Sequence, residues 1–143
     1  MIILDTNVLS EPFRQQPNPA VIEWLDRQNA LTLYLSTVSL AEVLTGVATM
    51  PEGKRKQALL TGVPDLIRQL FNDRVLSFDE MAAREFAQIQ AEVRKVGKHI
   101  AMADGQIAAI ARSHGFMVAT RDVSPFKAAG IQVINPWEQV PFL

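Results

Sequence analysis

Four acidic residues stand where this chain could do chemistry: Asp5, Glu42, Asp104 and Asp122. Asp5 closes the run Met1-Ile2-Ile3-Leu4, a continuous apolar stretch of the kind that makes a strand buried on both faces. Ligands of open α/β sheets bind just beyond the carboxyl ends of such strands. Asp is equally a common cap for a following helix, a task that Thr6 or Asn7 could also do. Asp122 follows a second such stretch, Phe116–Thr120. The spacing predicts that Ser124 caps the next helix with Pro125 at its first position, so Asp122 is not needed as a cap and reads otherwise as a loop residue. Glu42 falls on a helix over 37–50. By helical spacing it lies opposite Leu40, Val43, Leu44 and Val47, beside Val38, Thr45, Gly46 and Thr49, where a solvated surface Glu is the ordinary reading. Asp104 sits in Ile100-Ala101-Met102-Ala103-Asp104-Gly105-Gln106-Ile107-Ala108-Ala109-Ile110-Ala111, a helix apolar nearly all round and therefore expected to be mostly buried. An unpaired polar group there costs roughly 2–7 kcal/mol, and a charge costs more. Either Arg or Lys pairs with it, or it holds a cation. No basic residue lies within one turn, and Arg112 is two turns on.

Hard oxygen donors of this kind suit Mg²⁺ or Mn²⁺, which accept a few carboxylates and keep waters for substrate phosphates. Without a metal such a cluster repels itself. With one it can activate a water and stabilise phosphoryl oxygens, using one ion or two about 3.5–4 Å apart. Composition narrows the alternatives. There is no cysteine, which excludes disulfides, thiolate zinc sites and Cys nucleophiles. The net charge of -1 argues against a generally basic nucleic-acid-binding surface, but not against a nuclease whose positive charge is a bound ion. His114, beside Gly115, reads as a helix C-terminal residue favoured by the dipole. His99 reads as solvated, with the RNA contact that the resemblance given below implies as its alternative. Lys54-Arg55-Lys56 and Arg94-Lys95-Lys98 read as solvated faces, either of which could hold phosphates. Trp24, Tyr34 and Trp137 read as core or interface residues.

The elements that must position these acids alternate. Strands are expected at the start, over 31–35, 75–78, 116–120 and 131–134. Between them lie helices over 7–14, 37–50, 54–73, 79–98 and 100–114, one capped by Asn18 with Pro19 at its first position, and a short one closed by Gly130. Gly62 and Pro64 are expected to bend the helix that holds them. Such alternation implies an α/β fold with a parallel sheet and helices on both sides. The 143 residues fit one domain spanning 1–143. No apolar run reaches membrane-spanning length and no signal peptide opens the chain, so a cytoplasmic protein with no membrane partner is expected.

Four short stretches now carry a resemblance: Ile3-Leu4-Asp5-Thr6-Asn7, Ser39-Leu40-Ala41-Glu42, Ala103-Asp104-Gly105-Gln106-Ile107-Ala108-Ala109 and Ala119-Thr120-Arg121-Asp122. In this order and spacing they resemble the acidic motifs of PIN-domain proteins. Among these the chain is similar to the toxins of VapBC-type toxin–antitoxin pairs, with Asn135-Pro136-Trp137 like the tail of the FitB branch. The resemblance implies a three-layer α/β/α sandwich around a central parallel five-stranded sheet. It implies a Mg²⁺-dependent endoribonuclease, with Mn²⁺ as an alternative ion, whose metal ligands and catalytic residues are Asp5, Glu42, Asp104 and Asp122. Thr6 and Thr120 match positions that support those acids by hydrogen bonds, and Asn7 a polar position beside them. The expected chemistry is metal-activated water attacking an RNA phosphodiester in line, with tRNA or ribosomal RNA as family substrates. Expected partners are a second copy of the chain and a small antitoxin with a ribbon-helix-helix DNA-binding region, which often places an Arg near the metal site. DNA is then met only through the antitoxin. A weakly active or inactive partner that stabilises such a regulator on its operator is the alternative. Other phosphotransfer folds with Asp after the first strand fit less well. Phosphatases of the haloacid dehalogenase kind want a second Asp where this chain has Asn7, and receiver domains want adjacent acids.

Overall fold

Three consecutive apolar residues, Ile2–Leu4, form the middle strand of the molecule (β1). The computed structural model describes residues 1–138; the last residues of the expected single domain, 139–143, lie outside the described part. After β1 come α1 (Thr6–Ser10), a 3-10 turn over Glu11–Phe13, and α2 (Pro19–Arg27). Next are β2 (Leu33–Ser36), α3 (Thr37–Ala48), α4 (Lys54–Phe71) and β3 (Val75–Leu76). The second half holds α5 (Glu80–Lys95), α6 (Met102–His114), β4 (Met117–Ala119), α7 (Val123–Ala128) and β5 (Val133–Ile134).

All pairings are parallel and the strand order is β3-β2-β1-β4-β5. The order reverses at β1, which has β2 on one side and β4 on the other, so the crevice at the carboxyl ends of β1 and β4 is the place where such sheets bind ligands. Side-chain alternation along the strands separates two cores. Ile2, Leu4, Leu33, Leu35 and Ala119 pack toward α1–α4, with Val43, Val47, Val63, Ile67 and Phe71. Ile3 and Val118 pack the other way, against Ile89, Val93, Ile107, Ile110 and Phe126 of α5–α7. Helices therefore cover both faces, in the three-layer order expected. Each fully buried Ile, Val or Leu contributes about 1.5–3 kcal/mol by leaving water.

The helix starts follow local chemistry. Asn18 Oδ1 accepts from the Ala20 N–H with Pro19 at the first position, as expected. Ser36 Oγ accepts from the Ser39 N–H, and Asp79 Oδ1 from the Ala82 N–H. Gly115 ends α6 in the left-handed region at φ 69°, which suits glycine. Several boundaries differ from the expectation. Each strand is shorter, and Ala30–Thr32 is a 3-10 turn rather than strand. α4 is the single helix expected to contain Gly62 and Pro64, but it ends earlier, at Phe71. α6 starts at Met102, because Ala101 is extended and buried Ile100 anchors the chain before the helix begins. α7 starts at Val123, so Ser124 lies inside it and not at its cap. No helix of the described residues is long and apolar enough to cross a membrane.

Candidate metal centre at the carboxyl edge of the sheet

Asp5 is the first residue past β1, and the ladder holds its backbone: its N–H donates to Ala119 O at 2.9 Å. Its side chain is the N-cap of α1, with Oδ1 accepting from the Thr6 N–H at 2.8 Å. The other oxygen, Oδ2, accepts from the Thr120 hydroxyl at 2.8 Å, and Asn7 Nδ2 stands 3.4 Å away. Capping therefore uses one oxygen and leaves the second facing the end of β4. The residue is only 4% exposed. Burial pushes its carboxyl above the ordinary value; the Thr120 and Thr6 hydrogen bonds oppose this, and Glu42 and Asp122 add to it.

Thr120 is itself fully buried, and one hydroxyl serves three neighbours. It donates its proton to Asp5, accepts from the Asp122 N–H at 3.1 Å, and lies 3.4 Å from Asn7 Nδ2. Asn7 Oδ1 in turn accepts from the Arg121 N–H at 3.3 Å. The start of α1 and the loop after β4 are thus tied together across the switch point. Asp122 stands at the N-cap position of α7 without a capping side-chain bond and is exposed.

Glu42 reaches the same edge from α3. The Thr6 hydroxyl donates to Glu42 Oε1 at 2.6 Å, and Thr6 Oγ1 also bonds Ser39 Oγ at 3.0 Å. Ser39 is fully buried; in the sequence it opens the motif Ser39-Leu40-Ala41-Glu42, one helical turn before Glu42, without a role of its own being read for it. The buried stripe of α3 is Ser39-Val43-Val47, so Leu44, expected on the core side, is 39% exposed. Glu11 is a further buried acid that sequence reading passed over. It accepts from the Asn18 N–H at 2.9 Å and pairs with Arg14 at 3.4 Å, away from the four acids.

Asp104 lies in the first turn of α6, where the helix dipole favours a negative charge. In a helix expected to be mostly buried it is only half-buried, because the end of α6 opens to solvent at Met102. Its pKa is nevertheless raised to about 6, first by burial and then by Asp5, Asp122 and Glu42. Arg112 does not reach it. That guanidinium holds both oxygens of Glu92 at 2.9 and 3.0 Å, and its Nε lies 2.9 Å from Glu85 Oε2 as an ion pair without hydrogen-bond alignment.

The four acids therefore share one field of like charge, and among the described residues none of them forms an ion pair. Neither do any three His, Cys, Asp or Glu side chains of the described residues stand close enough to hold one ion directly. Mg²⁺ does not require that; it keeps several waters and is commonly held by one or two carboxylates. The donor chemistry fits a hydrated hard dication, since uncompensated carboxylates whose neighbours raise the pKa values of Asp5 and Asp104 are stabilised by positive charge placed among them.

The family description "PIN domain" matches residues 2–131. The chain is 49% identical over 138 residues to the VapC ribonuclease Y4jK of Sinorhizobium fredii, covering 96% of this chain and 99% of that one. It is 48% identical over 137 residues to the toxin FitB of Neisseria gonorrhoeae, again covering 96% and 99%. Its fold superimposes with a TM-score of 0.94, at 47% identity and 99% coverage of both chains, on a chain of a FitAB complex bound to a DNA fragment.

Proposed function

We propose a function from the premise that this chain belongs to the PIN-domain family and is a toxin of the VapC/FitB kind: it is a divalent-metal-dependent endoribonuclease that acts in the cytoplasm. The observation that carries this reading is the set of four unpaired acids, Asp5, Glu42, Asp104 and Asp122, gathered in one field at the sheet's switch point. RNA is polyanionic, and four carboxylates alone would repel it. Positive charge between them is therefore a condition for binding substrate as well as for cutting it. Mg²⁺ (or Mn²⁺), when bound, supplies that charge and a water of lowered pKa.

The chain's own groups do the positioning. Thr120 and the Thr6 N–H hold the two oxygens of Asp5 in place and favour its ionised form. The Thr6 hydroxyl fixes Oε1 of Glu42. Asp104, with its pKa near 6, carries a proton in mildly acidic solution and is ready to lose it to a cation. Asp122 is set by its own N–H on Thr120. Asn7 braces Asp5 against the loop after β4.

The partner is a small antitoxin with a ribbon-helix-helix region that carries the pair to DNA, and the toxin itself forms a homodimer. The DNA-bound FitAB relative supports the antitoxin part of this reading. It also favours a second one, in which the chain chiefly stabilises the DNA-bound antitoxin and cuts RNA weakly or not at all. Incubating the purified chain with total RNA in millimolar Mg²⁺, with and without EDTA, separates the two. The ribonuclease reading expects discrete cleavage ends that EDTA abolishes. Intact RNA in both tubes favours the second reading.

A further inference from the structure

A groove leads away from the acids. It begins at Thr6 and Glu42, passes over Val43 and Val47 between α3 and α4, and ends at Arg14 and Arg55. Its floor is open at Gly46, where an added Cβ would meet nothing within 4 Å. From Glu42 to Ala48, the end of α3, the helix rises about 9 Å, which separates the far end from the acids.

The far end is built to receive an anion. Arg14, Gln15, Gln16 and Arg55 together line a recess there. Arg55 Nη2 donates to Phe13 O at 2.8 Å, which fixes the guanidinium on a carbonyl and not on an acid. Among the described residues it has no carboxylate partner. Arg14 is tethered to Glu11, an acid 3% exposed that the Asn18 N–H also holds, while the Arg14 side chain itself remains 61% exposed. The neighbouring Lys56 differs from Arg55, since Glu52 pairs with it at 2.7 Å.

We propose that Arg14 and Arg55 are positioning residues that hold a phosphate of the RNA strand flanking the one at the acids. This rests on the ribonuclease reading and adds where the strand runs. A polynucleotide suits the groove because it presents a phosphate at both ends of it, one for the acids with their cation and one for the guanidiniums, which bind phosphate in a bidentate way.

The test is binding of a short fluorescein-labelled single-stranded RNA to the cleavage-silent variant Asp104→Asn in Mg²⁺, read by anisotropy across a series of KCl concentrations. Adding Arg55→Gln weakens binding about tenfold. It also lowers the slope of log affinity against log salt by roughly 0.7, the value of one single-strand phosphate contact. Arg14→Gln acts in the same direction, Arg55→Lys keeps the slope, and Arg84→Gln on α5 changes neither quantity. Unchanged slopes in both Arg14→Gln and Arg55→Gln overturn the proposal, as does a loss confined to binding of the antitoxin. If the wild-type chain cuts RNA while these variants bind it normally, the phosphate anchor fails and the ribonuclease reading stands. If RNA binds with the expected slopes and the wild type does not cut it, the ribonuclease reading fails and the anchor stands.

Discussion

Thr120 opposes, without overcoming, the effect of burial on Asp5. Its hydroxyl gives the carboxylate the side-chain hydrogen bond that most strongly opposes the effect of burial, and it also accepts from the Asp122 N–H. Thr120→Val keeps the shape and removes both contacts. It leaves a buried carboxylate short of a donor, at a cost of about 1–3 kcal/mol. Urea denaturation should show this loss, with Thr120→Ser close to wild type; equal midpoints for Thr120→Val and wild type would contradict it. Asp104 behaves in the opposite sense. Its folded pKa of about 6 lies above the ordinary 3.8, so its ionised form destabilises the metal-free fold. That penalty is complete above pH 6 and fades as pH falls toward 3.8. The carboxyls of Glu52 and Glu92 are lowered below their ordinary 4.5, so their stabilising contributions are lost only at more acidic pH. In EDTA the melting temperature of the wild type should therefore rise between pH 7.5 and about 5. That of Asp104→Asn should rise less, and at pH 7.5 it should equal or exceed the wild type's. Millimolar Mg²⁺ should raise the wild-type value by mass action and the variant's much less. A variant melting well below wild type in EDTA would mean that Asp104 is a structural acid. At this scale the candidate site was legible because an acid after a buried strand, or beside an apolar helix face, needs a reason. Ser39 was not legible, because its partner Thr6 lies 33 residues away in the chain; Glu11 was not, because its burial is set by packing, although its partners Arg14 and Asn18 are close in sequence.

The packing of α6 on α5 sets where Asp104 stands. A Cβ added at Gly105 would come within 2.9 Å of Phe86 Cε2 and 3.1 Å of Gln90 Nε2. Gln90 can move, but Phe86 is held edge-on against Phe78. Gly105→Ala gains about 1 kcal/mol of helix propensity and loses about 1–3 kcal/mol to overpacking, so a net loss is expected. Cleavage should fall further than stability, because the displaced turn carries the neighbouring Asp104. Phe86→Leu makes room and should restore part of both. Thermal melts and cleavage rates of the single and double variants check this; a Gly105→Ala variant with wild-type activity would contradict it. Elements were legible where local chemistry decides them, as at Asn18-Pro19, Asp79 and Gly115. They were misread where tertiary contacts decide. Leu44 has the spacing of a core residue, yet the sheet meets α3 along Ser39, Val43 and Val47.

Across the whole molecule, strand order does the gathering. β1 and β4 are far apart in sequence but adjacent in the sheet, and this alone brings Asp5, Asn7, Thr120 and Asp122 together. Alternating strands and helices made the α/β class legible, whereas the order β3-β2-β1-β4-β5 follows from pairings that periodicity does not encode. The central claim is that four acids from four segments act as one metal site that cuts RNA. Its most direct test is single-turnover cleavage of one defined RNA, at saturating Mg²⁺, by the wild type and by Asp5→Asn, Glu42→Gln, Asp104→Asn and Asp122→Asn. Each amide keeps the shape and removes a charge. The expected result is a loss of about a hundredfold or more for Asp5→Asn, Glu42→Gln and Asp104→Asn, with a smaller loss for the exposed Asp122→Asn. Cleavage at the wild-type rate by either Asp5→Asn or Asp104→Asn would contradict it.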